Sequence, residues 1–323
     1  MKAAVVTSSG VEVREVPAPT PTASQVLVRV RACGLNRADL AVAAGRAHGA
    51  VGGAGTIVGM EFAGEVAEIG SEVKSVKVGD RVMASGAAGY AEYAVADWGR
   101  VQVLPSASMS FEQAATLPIA LQTMHNALVT VGGLTKGESV LIQGASSGVG
   151  IMGLQIAKYM GASIVIGSST NAARREKLKA WGADLAIDTS NAGWADEVVA
   201  ATEGKGVHLI VDQVSASVAN ANLKAARVLG RIVNVGRLGG ATGEFDYDLH
   251  AMKRISYIGV TFRTRSIEEV REINRLMRAD LWDAAAAGTL KLPIDRTFSL
   301  DEVATALAYM KANKHFGKIV LRV

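Results

Sequence analysis

The chain has 323 residues, 49% of them apolar and 20% charged, so it is long enough for two domains and can bury a sizeable core. Its net charge of +4 comes from scattered Lys and Arg, without the basic block or aromatic-interleaved stripe that tracks nucleic acid. One cysteine, Cys33, excludes an intramolecular disulfide and a thiolate-rich zinc cluster, and no run of about 18 apolar residues suggests a membrane span.

The start, "MKAAVVTSSGVEV", is too polar for a signal peptide, so the expected location is the cytoplasm. Through the first hundred residues, "QVLVRVRACG", "EFAGEVAEIG", "DRVMAS" and "YAEYAVA" are β-rich runs punctuated by Gly and Asp. From about Gly133 the pattern becomes strand then helix in repeated alternation. "SVLIQGA" precedes "VGIMGLQIAKYMGA", "SIVIGSS" precedes "ARREKLKAWGA", "LAIDT" precedes "WADEVVAATEG", and "VHLIVDQV" precedes a predicted helix over "VANANLKAARVLG". "GRIVNVG" and an apolar "ISYIGVTF" follow. Apolar strands joined by helices make a doubly wound parallel sheet, so the fold class is α/β with a second, β-rich module. The last sixty residues break the alternation and are expected to return to complete the first module.

The stretch "VLIQGASSGVGIMGLQIAKYMGA" runs a strand into small residues and then a helix. Such a turn offers free backbone N–H groups and the positive end of a helix dipole to a phosphate. A nucleoside-triphosphate loop would need Gly-Lys-Ser/Thr, whereas Gly150 is followed by Ile151 and Met152, so dinucleotide binding remains. The literal G-x-G-x-x-G frame over Gly148, Gly150 and Gly153 puts Gly153 inside the helix. The better frame uses Ala145, Ser147 and Gly150, with Gly150 allowing close helix-to-strand packing. The turn residues Ala145, Ser146, Ser147, Gly148, Val149 and Gly150 are therefore the predicted pyrophosphate contacts. The next strand ends in Gly167, Ser168, Ser169 and Thr170, with no carboxylate for a ribose 2′-hydroxyl, and Arg174, Arg175 and Lys177 follow. That favours NADPH over NADH, with Ser168, Ser169 and Arg174 near the 2′-phosphate.

With these motifs in this order, the sequence resembles the medium-chain dehydrogenase/reductase superfamily over essentially its whole length. Zinc alcohol dehydrogenases of that superfamily carry a ligand Cys where "RACGLNRADL" has Asn36, and a ligand His where "VGMEFAG" has Met60. The chain is thus similar to the zinc-independent quinone oxidoreductase branch, with Asn36, Glu61 and the "SGVG" turn. Within it, "GVTFRTRSIEE" is similar to the p53-inducible quinone oxidoreductase subfamily.

The resemblance implies a GroES-like catalytic domain over residues 1–123 and 264–323 and a Rossmann NADP(H)-binding domain over 124–263. It implies that Asn36 lies beside the nicotinamide and that Thr123 contacts the cofactor's ribose or carboxamide. It also implies that Asn234, Val235 and Gly236, with Thr261, Phe262 and Arg263, cover the nicotinamide, and that Asn313 closes over it. Two departures stand out: Ala41, Ala43 and Ala44 where relatives carry a Tyr in the substrate mouth, and Thr189 where a phosphate-contacting Tyr is common.

The expected activity is metal-free hydride transfer from NADPH to a quinone or similar electron-poor carbonyl acceptor, with Asn36 and Arg263 as catalytic hydrogen-bond donors and water delivering the proton. His48 is an alternative acid. The rival readings are reduction of an enone, a 2-alkenal or an enoyl thioester, and a non-catalytic NADPH-binding protein. The expected assembly is a homodimer or tetramer paired through the edge strand at "ISYIGVTF".

Overall fold

The protein's computed structural model describes residues 1–47, 49 and 52–323, and His48 lies outside the described residues. Two compact units emerge, one of Met1–Gln122 with Phe262–Val323 and the other of Thr123–Thr261. In chain order the first carries β1 (Lys2–Thr7), β2 (Gly10–Glu15), β3 (Gln25–Gly34), α1 (Asp39–Ala43), β4 (Glu61–Ile69), β5 (Arg81–Ser85), β6 (Tyr93–Asp97), β7 (Val101–Val103) and α2 (Phe111–Ala114). Helix α3 (Pro118–His125) carries the chain onward. The second unit holds β8 (Ser139–Ile142), α4 (Gly148–Tyr159), β9 (Ile164–Ser168), α5 (Ala172–Lys177), β10 (Leu185–Ile187), α6 (Trp194–Ala201), β11 (Val207–Asp212), α7 (Ala219–Ala225), β12 (Ala226–Asn234), α8 (Tyr247–Lys253) and β13 (Ser256–Gly259). The chain then returns with α9 (Ile267–Ala286), β14 (Ile294–Ser299), α10 (Val303–Lys311) and β15 (Lys318–Arg322).

In the first unit, β1 and β2 form an antiparallel hairpin, and the larger sheet runs β14-β15-β3-β4-β5-β7 with β6 also paired to β3. Alternation decides which side chains go inward: Val26, Val28 and Val30 of β3 join Phe62, Val66 and Val82 in one core. Phe298, Leu307, Ile319 and Leu321 from the C-terminal segment enter the same core, so the last sixty residues pack with this module. Helix α9 starts where Ser266 and Glu269 close a reciprocal capping box.

The strand order has a direct chemical result. Strands β15 and β4 both run antiparallel to β3, with Val320 opposite Gly34 and Phe62 opposite Cys33. The start of β15, the end of β3 and the start of β4 therefore meet at one end of the sheet, and these carry Lys318, Asn36 and Glu61.

The second unit is a six-stranded parallel sheet in the order β10-β9-β8-β11-β12-β13. From β8 the chain winds outward through β9 and β10, then crosses to the far side at β11. The crevice at the carboxyl ends of β8 and β11 is the topological switch point where such sheets take ligands. Leu141, Ile166, Ile210, Ile232 and Trp194 pack in its core.

One predicted helix ends early. Helix α7 stops at Ala225, and "ARVLG" belongs to β12 instead. The strand pairs through Ala226 and Val207, then slips before Arg231 meets Leu209, extruding a bulge whose Val228 and Leu229 are 47% and 63% exposed. Val228 and Leu229 read as the apolar end of the helix, but the pairing of β11 with β12 takes precedence and leaves them in water. Leu229 sits at φ +62°, a left-handed conformation that costs a branched residue. Leu229→Gly is expected to raise stability by about 0.5–1 kcal/mol, read as an increased denaturation midpoint with unchanged denaturant dependence; an unchanged or lower midpoint contradicts the strain.

Candidate functional site

In the second unit, Ser147 caps α4: its hydroxyl accepts from Gly150 N at 3.0 Å and donates to the Gly144 carbonyl at 3.0 Å. A Cβ on Gly150 would lie 2.6 Å from the Gly144 carbonyl oxygen and 2.7 Å from Ala145 Cα, so only glycine lets the helix start this close to the strand's exit. Ala145, Gly148 and Gly150 are buried while Ser146, Ser147 and Val149 are half-buried, which puts the turn at the mouth of the switch-point crevice. The first-turn N–H groups of α4 have no carbonyl four residues back and face the crevice end of the helix. Their geometry fits the pyrophosphate of a dinucleotide.

Behind the turn lies a polar network that the motif pattern does not announce. Gln143, at the end of β8, donates to Asn222 at 2.7 Å, and Asn222 donates to the Asp212 carboxylate at 3.0 Å. Asp212 also accepts the Val214 and Ser215 N–H groups at 2.8 and 2.9 Å, and burial raises its pKa. Gln213 donates to the Gln143 carbonyl, and its Oε1 lies 3.2 Å from the Ser147 hydroxyl as an alternative acceptor for the proton given to Gly144. Polar residues at strand ends were the available signal: "IQG" and "VDQV" interrupt two apolar runs at the same depth of the sheet.

The residues predicted around the ribose phosphate have distinct surroundings. Ser168 is buried, with its hydroxyl donating to Gln143 at 2.6 Å and accepting from Gly144 N at 3.0 Å, so it braces the turn. Ser169 donates to Ser146 at 3.2 Å. Asn171 caps the short α5 through Arg174 N. Arg175 donates to the Ser169 carbonyl at 2.8 Å and pairs with Asp188 at 2.9 Å, while Arg174 beside it on α5 is half-buried. Thr123 is half-buried on α3.

Asn234, at the end of β12, donates to the Ser215 hydroxyl and helps line a cavity of about 690 Å³ with Arg237, Phe245, Tyr247 and Tyr257. Val235 and Gly236 are fixed by N–H groups bonded to the Asp212 carbonyl. Thr261, half-buried, ends this unit.

In the first unit, Asn36 is buried and held on both edges. Its Nδ2 donates to Glu61 Oε1 at 2.9 Å and makes a longer 3.4 Å contact with the Gly34 carbonyl. Its Oδ1 accepts from Lys318 Nζ at 3.0 Å. Lys318, 3% exposed, also donates to the Leu35 carbonyl at 2.8 Å and pairs with Glu61 itself. The second carboxylate oxygen of Glu61 accepts from Ile119 N at 2.9 Å. A Cβ on Gly34 would stand 2.6 Å from Glu61 Oε1, so glycine there leaves the carboxylate its place.

Alongside, Asp39 accepts from Asn36 N at 2.7 Å and from the Tyr90 hydroxyl at 2.6 Å, while its other oxygen is buried without a hydrogen bond. Burial pushes its carboxyl up to about 7, against the opposing pull of Tyr90, Asn36 N and Lys318. The Cys33 thiol, buried beside them, donates to the Gly89 carbonyl and is pushed well above its ordinary range, which keeps it a neutral thiol rather than a nucleophile.

The cluster joins two expected residues, Asn36 and Glu61, to three that sequence reasoning missed: Asp39, Tyr90 and Lys318. Charges embedded in apolar strand runs, Glu61 in "MEFAG" and Lys318 in "GKIVL", were the signal that they pair. Arg263 and Phe262 lie in the bend after β13, Arg263 exposed. Asn313 is exposed at φ +54° and accepts from Arg37 at 2.8 Å.

A raised carboxyl means the folded protein keeps a proton that the unfolded chain has shed between about pH 4 and pH 7. Stability then falls as pH rises through that window and levels off above it. Asp39→Asn removes the effect: between pH 5 and pH 8 its stability relative to wild type should rise by about 3 kcal/mol, followed by denaturation at each pH. A difference that stays constant with pH contradicts the neutral Asp39.

Two family models match the chain, an alcohol dehydrogenase GroES-like domain over residues 22–106 and a zinc-binding dehydrogenase domain over residues 148–279. A phenolphthiocerol/phthiocerol polyketide synthase polypeptide of Mycobacterium tuberculosis is 30% identical over 311 residues, covering 96% of this chain and 14% of that protein. The chain therefore spans about a seventh of that relative's length. Among solved structures, the quinone oxidoreductase of Pseudomonas syringae pv. tomato is 27% identical with a TM-score of 0.87, each chain covered in full. The CurK enoyl reductase is 26% identical with a TM-score of 0.87 over 99% of both chains. A mycobacterial protein complexed with NADPH is 25% identical with a TM-score of 0.88 over the whole of both. The two matched models, on a chain with a β-rich unit and a six-stranded parallel dinucleotide-type unit, show that this protein belongs to the medium-chain dehydrogenase/reductase family of nicotinamide-dependent oxidoreductases.

Proposed function

We propose that the protein is an NADPH-dependent quinone reductase whose hydride transfer is assisted by the Asn36 amide rather than by a metal. The observation that carries this is Asn36 itself, an amide clamped between Glu61 and Lys318 at the place where zinc relatives have a ligand cysteine. The zinc named in the matched family model does not fit this donor set. Met60 replaces the histidine, the neighbouring carboxylate is taken by Lys318 and Ile119 N, and among the described residues no three His, Cys, Asp or Glu side chains gather.

When bound, the reduced nicotinamide supplies hydride from C4. The α4 turn and the polar ends of β8 and β11 hold the dinucleotide, and Asn36 offers an N–H to the acceptor oxygen as negative charge builds on it. A quinone suits this machinery because its product anion is delocalised, so one or two donors suffice. Water returns the proton.

NADPH is favoured by the chemistry at the end of β9, where Ser168, Ser169 and Asn171 stand without a carboxylate and Arg174 follows. Asp188, the nearby acid, is neutralised by Arg175. The mycobacterial neighbour solved with NADPH agrees with this choice. A second reading, reduction of an enone or enoyl-thioester double bond by the same hydride geometry, is favoured by the likeness to the CurK enoyl reductase and to the mycobacterial polyketide synthase.

The working assembly in this proposal is a homodimer or tetramer paired through β13. That strand ends the sheet, and Tyr257 on it is 39% exposed. Light scattering should report twice or four times the 33.6 kDa chain mass, and monomer at micromolar concentration contradicts the pairing.

Purified protein should oxidise NADPH with ortho- or para-quinones and prefer it to NADH by at least about tenfold in kcat/KM. Asn36→Ala should lower kcat by about 10²-fold, the usual cost of one oxyanion donor. Arg174→Ala should raise KM for NADPH and leave that for NADH unchanged. Turnover only with enones or enoyl thioesters moves the assignment to double-bond reduction, and no turnover with any acceptor contradicts it.

A further inference from the structure

We infer that Lys318 is a positioning residue that fixes which way the Asn36 amide faces and sharpens its N–H as a donor; the inference rests on the proposed role of Asn36. An amide can present either edge, and burial alone does not choose between them. Here the choice is made by charge. Lys318 Nζ gives its three protons to the Leu35 carbonyl, Asn36 Oδ1 and Glu61, so Oδ1 is held toward the ammonium. Glu61 Oε1, the same oxygen that pairs with Lys318, accepts from Nδ2 at 2.9 Å, so the amide meets the ion pair with its oxygen on the cation and its N–H on the anion. A flipped amide would put its N–H groups against the ammonium and its oxygen against the carboxylate, two repulsions in a site with almost no water.

The orientation leaves Nδ2 with its second N–H on the 3.4 Å contact to the Gly34 carbonyl, weak enough to be exchanged for a charged acceptor. A cation on the amide oxygen draws electron density from the amide and strengthens that N–H. All three ammonium protons have partners within the fold, which marks Lys318 as a group that orients and polarises rather than one that delivers a proton. Within the described cluster, Asp39 meets only the backbone N–H of Asn36 and Tyr90 bonds Asp39 rather than Asn36, so the charge on the amide oxygen comes from Lys318.

The test replaces the pair together, Glu61→Gln with Lys318→Met, because either single change strands a buried charge. In this double variant the new side-chain amide at position 61 keeps its oxygen on Ile119 N and turns its own N–H toward Asn36, which favours the flipped orientation of Asn36. Three proteins are compared with the best acceptor found: wild type, Asn36→Ala and the double variant. Melting temperature, NADPH dissociation constant, and kcat and KM are measured on each.

The expected result is a double variant that melts within a few degrees of wild type and binds NADPH within twofold. Its kcat should fall at least tenfold, toward that of Asn36→Ala, and adding Asn36→Ala to it should cost little more. A double variant with wild-type kcat, beside an Asn36→Ala protein that has lost activity, overturns the role of Lys318 and leaves Asn36 standing. Wild-type kcat in Asn36→Ala removes both.

Discussion

A lysine and a glutamate almost wholly out of water face each other where the start of β15, the end of β3 and the start of β4 meet, and the chemistry of the first unit is arranged around them. Burying either charge alone costs several kcal/mol, and their attraction offsets this only when the remaining protons and lone pairs are bonded. Here they are, by Leu35, Asn36 and Ile119. The pair therefore dictates what surrounds it: a glycine at 34 to make room and an amide at 36 that can donate one way and accept the other, while the Asp39 carboxyl alongside is pushed up to about 7 by burial, against the pull of Lys318.

The second unit meets a different constraint, close approach. For the backbone amides of α4 to face a phosphate group, the helix must begin almost on top of the strand that feeds it, and Gly150 against Gly144 and Ala145 is what permits this. The strand ends flanking the turn then need polar side chains that bond to one another. Gln143, Asp212, Gln213 and Asn222 do so, with Ser215 held at φ +65° beside them. These groups keep the turn rigid, which is a requirement for binding an elongated cofactor in one register.

Much of the architecture was legible because periodicity reports burial. The strand-helix alternation and the apolar runs located the parallel sheet and its first turn, and the loss of alternation marked the returning segment. Residues 226–230 misled because their apolar spacing reflects an exposed bulge, which only the pairing partner reveals. The candidate site was legible in part. Asn36 and Glu61 stood out through family resemblance, whereas Lys318 lies more than 280 residues from Asn36 in sequence, and only sheet order brings them together. Ser168 has the residue type of a ligand contact; its hydroxyl is spent on Gln143 and Gly144, a role decided by which neighbour is nearest rather than by residue type.

The measurement closest to the central claim is a double-mutant cycle on the Glu61–Lys318 pair by denaturant unfolding, using Glu61→Gln, Lys318→Met and both together. A buried, fully bonded pair predicts that each single change costs about 3 kcal/mol or more while the double change costs less than either. Single costs below about 1 kcal/mol that simply add would mean that the pair behaves like a solvent-screened contact. The account of Asn36 built on it would then be wrong.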